Sequence, residues 1–135
     1  MTHPASSRIR ILVVDDDETV RLALRRMLES AGYEVQEAPN GRVAMTLCRE
    51  DPPDVMITDI FMPEQEGMET IQAMRREFPG VKLIAVSGQA GAVYLRVAKL
   101  LGAQASLEKP LRMDTVLATI RSVLGGEAAP DSRDA

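Results

Sequence analysis

Asp15, Asp16, Asp59, Ser87 and Lys109 are the residues whose types could do chemistry together. Each follows a short run that reads as a strand: ILVV before Asp15-Asp16, VMIT before Asp59, LIAV before Ser87 and ASLE before Lys109. Three carboxylates at close range repel one another and stay ionised only beside a cation. A hard divalent ion relieves the repulsion, and Mg²⁺ suits an open oxygen site that keeps some of its water. Such an ion also bridges to a phosphoryl group and offsets its charge. A lysine ammonium pairs with an aspartate or phosphoryl oxygen, and a serine hydroxyl donates to one. Carboxylate, metal, ammonium and hydroxyl together make a site for an aspartyl phosphate, a covalent species formed on a carboxylate nucleophile.

That chemistry needs elements to gather the groups. Strand-like runs fall at Ile9–Val14, Tyr33–Ala38, Val55–Thr58, Val81–Val86 and Ala105–Glu108. Segments with helical spacing lie between and after them. The first has Val20, Leu24, Met27, Leu28 and Ala31 on one face, and Gly32 stops it. The second opens on Asn40 as N-cap, with Val43, Ala44, Leu47 and Cys48 inward. The third begins near Gly67, carries Met68, Ile71, Met74 and Phe78, and closes at Pro79-Gly80. A fourth covers about Ala92–Leu101. A fifth covers Met113–Leu124, with Met113, Val116, Leu117, Ile120 and Val123 on one stripe. Strand and helix alternate five times, which implies parallel strands joined by right-handed crossovers. Continuously aliphatic strands imply helices on both sheet faces. In such a sheet every strand ends at one edge, so the five polar residues share a rim. Ligands bind at that rim, where strand order reverses.

The bulk numbers agree with one globular domain. The chain has 135 residues, ordinary apolar and charged content, and a net charge of −4. An acidic balance argues against direct nucleic-acid binding. The clusters Arg25-Arg26 and Arg75-Arg76 read as solvated helix faces. The lone Cys48 fits a reducing compartment and, on an apolar stripe, a packed thiol. The N-terminus has no signal-peptide core, and no run approaches the roughly 18 apolar residues of a membrane span. A cytoplasmic location is expected. Residues 1–8 and 125–135 read as flexible ends around a domain over 9–124.

The motifs ILVVDDD, DVMITDIFMPEQEGME, LIAVSGQ and LEKPL occur in order, and over about residues 9–124 the chain resembles the response-regulator receiver domain of two-component signalling. The resemblance implies an α/β, flavodoxin-like, doubly wound sheet of five parallel strands in order 2-1-3-4-5, with five helices in three layers. It implies Asp59 as phosphoryl acceptor. Asp16 would be a direct Mg²⁺ ligand and Asp15 one acting mainly through water. The backbone carbonyl of Phe61 would complete the protein's share of the metal shell. Ser87 and Lys109 would contact the phosphoryl group, and the Lys109–Pro110 bond is commonly cis in the family. The donor would be a phosphohistidine on a sensor histidine kinase or a histidine phosphotransfer protein. A downstream protein target would respond, and no separate substrate would be turned over. Two positions depart from the family pattern. Ser106 stands where Tyr or Phe is usual, which puts the usual hydroxyl–aromatic coupling in question, and Leu111 replaces a common phenylalanine.

Other readings compete. Asp15–Glu18 could cap the first helix, which accounts for Asp17 and Glu18 but not for Asp59, Ser87 and Lys109. Asp15-x-Asp17-x-Thr19 also resembles the DxDxT signature of haloacid-dehalogenase-type phosphatases, with Asp15 as nucleophile. Against it stand the short chain, Glu18 in place of a glycine, and no late acidic pair. A third reading is an interaction module without chemistry. Helix four carries only Arg96 and Lys99 as charges among apolar residues. Part of it is expected to be exposed and to meet a partner or a second copy; the alternative is deeper packing.

Overall fold

A computed structural model describes residues 8–60, 66–88 and 91–125. Five strands and five helices alternate: β1 Arg10–Val14, α1 Glu18–Ser30, β2 Glu34–Ala38, α2 Gly41–Glu50, β3 Val55–Asp59, α3 Glu66–Glu77, β4 Lys82–Ser87, α4 Gly91–Leu101, β5 Ala105–Glu108 and α5 Met113–Gly125. The strands form one parallel sheet in the order β2-β1-β3-β4-β5, as expected.

Side chains alternate across the sheet and fill two cores. Leu12, Val14, Met56, Leu83 and Ala85 pack with Ala44, Met45 and Cys48 of α2, Ile71 and Met74 of α3 and Ala98 of α4. Ile11, Val13, Val55, Ile57, Ile84 and Val86 point the other way, against Leu24 and Leu28 of α1 and Val116 and Ile120 of α5. Helices therefore cover both faces, which is why these strands are apolar throughout. Each fully buried aliphatic side chain contributes about 1.5–3 kcal/mol relative to exposure.

Local signals end the elements where the sequence places them. Asp17 caps α1 by accepting from Thr19 N, and Asn40 caps α2 by accepting from Val43 N. Gly32 and Gly102 follow α1 and α4 with φ of 94° and 128°, a region where a Cβ is disfavoured. Ala31 is an exposed C-cap rather than part of the apolar face. Two further expected core residues are exposed. Val43 lies one position off the buried stripe of α2, which Gly41, Ala44, Met45 and Cys48 carry. Met113 is the first residue of α5, on the turn after β5 has ended, and is 44% exposed. Gly125, expected in the tail, closes α5.

The fourth helix exposes apolar side chains beside the charged Arg96 and Lys99. Val93, Val97 and Leu100 are exposed, Leu100 at 86%. The side chain of Leu95 lies outside the described residues. No described helix is long and apolar enough to cross a membrane.

Candidate functional site

Strand register brings the polar residues to one rim. Val14 pairs with Thr58, so Asp15 and Asp59 follow on neighbouring strands. Asp59 pairs with Val86, so Ser87 extends one residue beyond it, and Ser87 pairs with Glu108. Lys109 comes next, and its N–H donates to the Ser87 carbonyl at 2.9 Å. The Lys109–Pro110 peptide is cis. Asp15, Asp59 and Ser87 are buried, whereas Asp16 is exposed.

The Lys109 ammonium bridges two carboxylates, with Nζ 3.1 Å from Asp59 Oδ2 and 3.3 Å from Asp15 Oδ2. The other Asp15 oxygen, Oδ1, accepts from Asp17 N at 2.9 Å. Two glycines make room. A Cβ at Gly88 would lie 3.1 Å from Lys109 Cδ. A Cβ at Gly67 would collide with the Ile60 Cα and the Asp59 carbonyl, so the first turn of α3 lies directly against the backbone that carries Asp59.

One carboxylate oxygen from each of Asp15, Asp16 and Asp59 lies within 4.8 Å of the others, the one acidic group of three so placed among the described residues. Two ligands on opposite sides of one Mg²⁺ are about 4.2 Å apart, given metal–oxygen distances of about 2.1 Å. The donor set is all oxygen and carries more negative charge than one lysine offsets, so it fits a hard divalent ion. Burial raises the pKa of Asp15, and the charge of Asp59 adds to this against the Asp17 N–H and Lys109. Burial pulls the Lys109 pKa down, but the hydrogen bond to Asp59 and the charges of Asp59 and Asp15 outweigh it and leave it raised. The lysine therefore stays charged at neutral pH.

Phe61, expected to offer its carbonyl, lies outside the described residues. Ser106 is half-buried on β5 and lines an open groove of about 520 Å³ between α4 and α5, with Lys99, Thr115 and Thr119 among its walls. Leu111 packs against the α1–α5 core.

Sequence reasoning missed a group of charges behind Asp15. Arg25 is not a freely solvated residue: it bonds Glu37 at 2.6 Å, Glu29 at 3.0 Å and the Val35 carbonyl at 2.9 Å. Arg21 bonds Glu37 at 3.0 Å and the Asp15 carbonyl at 2.7 Å. The available signal was Glu37, which shares the inward face of β2 with Val35 in the alternation EVQEA. An acid on a strand's inward face needs a partner.

The family described as the response regulator receiver domain matches residues 11–121. The chain belongs to this family. It is thus a receiver domain of two-component signalling, a signalling domain with the sheet order and helix count expected. The receiver is 38% identical over 117 residues to response regulator MprA of Mycolicibacterium vanbaalenii, covering 86% of this chain and 50% of that protein. MprA of Mycobacterium tuberculosis is 37% identical over the same length. The receiver therefore spans about half the length of the curated relatives it matches. Among solved structures, a CheY-like receiver domain protein of Methanospirillum hungatei is 31% identical, with a TM-score of 0.83, covering 89% of this chain and 96% of that one. Chemotaxis protein CheY4 of Vibrio cholerae is 29% identical with a TM-score of 0.81, over 87% and 99% of the two chains. Membership removes the phosphatase reading of Asp15-x-Asp17-x-Thr19. Asp17 and Thr19 instead meet each other in the cap of α1.

Proposed function

We propose that this receiver accepts a phosphoryl group on Asp59 in a Mg²⁺-dependent reaction and thereby switches its binding to a downstream protein. The observation that carries the reading is the meeting of three carboxylates within 4.8 Å beside a lysine that bonds Asp59 at 3.1 Å. An Asp59 carboxylate oxygen attacks phosphorus, the bond from phosphorus to the donor imidazole nitrogen breaks, and the imidazole keeps that electron pair. Lys109 offsets charge on Asp59 and on the incoming phosphoryl oxygens. Ser87 donates its hydroxyl to one of them. Asp15, Asp16, Asp59 and the Phe61 carbonyl would hold Mg²⁺, which when bound neutralises phosphoryl charge. Placement and charge neutralisation account for most of such catalysis. Water later hydrolyses the acyl phosphate.

The donor is a phosphohistidine of a sensor histidine kinase or histidine phosphotransfer protein, and the setting is the cytoplasm. The exposed Val93, Val97 and Leu100 on α4 favour a protein contact there, either a target or a second copy.

The test is incubation with acetyl phosphate and Mg²⁺, followed by intact mass. The wild type should gain one phosphoryl group. Asp59→Asn, and the wild type in EDTA, should gain none. Labelling of Asp59→Asn at the wild-type rate would move the acceptor elsewhere.

A further inference from the structure

We infer that Arg21 is a positioning residue for the metal-binding acids, held in place by Glu37 and Arg25. The inference rests on the proposed function, since it assigns Arg21 a role toward the same acidic pocket.

The Arg21 side chain is mostly buried, at 15% exposure. Its Nη1 donates to the Asp15 carbonyl at 2.7 Å, and its Nε donates to Glu37 Oε1 at 3.0 Å. The second Glu37 oxygen accepts from Arg25 Nη1 at 2.6 Å. Arg25 is itself tied to the Val35 carbonyl and to Glu29. One carboxylate thus lies between two guanidinium groups, and only one of these reaches the pocket.

What Arg21 grips is the peptide that joins Asp15 to Asp16. On the other side of Asp15, its own N–H donates to the Ala38 carbonyl at 3.2 Å. Asp15 is therefore fixed by hydrogen bonds before and after its Cα, and the start of Asp16 is fixed with it. Both carboxylates project from this short stretch. A metal site tolerates little error in ligand placement, and groups that orient ligands affect affinity as ligands do. Glu37 has a second effect. It pairs with the Arg21 charge, so the guanidinium supports the backbone instead of competing with the metal for the aspartates. The planar fork of arginine aims two separate nitrogens, Nε and Nη1, at these two acceptors, a spacing that the single nitrogen of a lysine does not reproduce.

A plain strut between α1 and β2 would affect stability alone. The discriminating readout is Mg²⁺ affinity, measured by calorimetry on folded protein, with the amide shifts of Asp16 and Asp17 as a second reporter. Arg21→Ala should weaken Mg²⁺ binding by about tenfold or more. It should raise the Mg²⁺ concentration needed for half-maximal acetyl phosphate labelling, with the maximal rate recovered at saturating Mg²⁺. Arg21→Lys, which keeps the charge but not the fork, should retain most of the defect and protects the test against a misfolded alanine variant. Leu28→Val, remote in the α1 core, should lose stability with unchanged Mg²⁺ affinity. Wild-type affinity in Arg21→Ala or Arg21→Lys overturns the inference while leaving the proposed function standing. A wild type that neither binds Mg²⁺ nor labels at Asp59 overturns both.

Discussion

At the residue scale, burial decides which side chains can react. Cys48 is fully buried in the core under α2, and burial pushes its thiol up to about 11. Thiolate is the reactive form. Native protein at pH 8 should therefore leave Ellman's reagent uncoloured until urea unfolds it. Immediate stoichiometric labelling without urea would place the thiol outside the core. Glu37 shows the opposite shift. The hydrogen bond from Arg25 holds its carboxyl below the usual range, with Arg21 adding to it against a burial penalty. A depressed carboxyl contributes stability above its unfolded value of about 4.3 and loses it as pH falls through the lower folded value. Glu37→Gln should therefore be less stable than wild type at pH 7, and the gap should close below about pH 4. Urea melts across this range check the sign. A gap that widens on acidification would show that the ion pairs are not its source.

At the element scale, the first turn of α3 bears on the backbone of Asp59 and Ile60. Gly67 faces the Asp59 carbonyl and Ile60 Cα with no room for a Cβ. Gly67→Ala should push this turn away and destabilise the fold by about 1–3 kcal/mol, as overpacking does. It should also slow acetyl phosphate labelling, whereas Gly80→Ala, where a Cβ meets nothing within 4 Å, should do neither. Equal effects from both would remove the steric argument. Elements were legible in the sequence to within a residue or two, because strand and helix periods differ and Asn40, Gly32 and Gly102 punctuate them. The rim was legible for the same reason: parallel strands deliver their last residues to one edge. The close packing of Gly67 was not legible, since a glycine announces freedom but not the neighbour that demands it. Nor was the pairing of Arg21 with Glu37, because these residues lie on different elements and meet only through the packing of α1 on β2. Val43 and Met113 were misjudged because periodicity assigns a face without saying where cover ends.

At the scale of the whole molecule, the acidic rim sets charge repulsion against the two cores. Three acids meet there and the lysine pairs with two of them, Asp15 and Asp59, so a bound cation should stabilise the folded state. Binding only to folded protein adds about 2.7 kcal/mol at a hundredfold excess over the dissociation constant. Mg²⁺ should thus raise the urea midpoint of the wild type, and Asp15→Asn should lose most of that gain. An equal Mg²⁺ response in both would mean that the ion acts elsewhere.

Helix α5 leaves the loop after Lys109 and runs back along the sheet to Gly125. Its far end is therefore at the edge where the strands begin, roughly 17 Å from the acids for a five-residue strand. Gly125 itself thus lies on the side opposite the acids. A change at Asp59 that is to be felt at Gly125 would have to travel through the packed elements between them, β5 and α5.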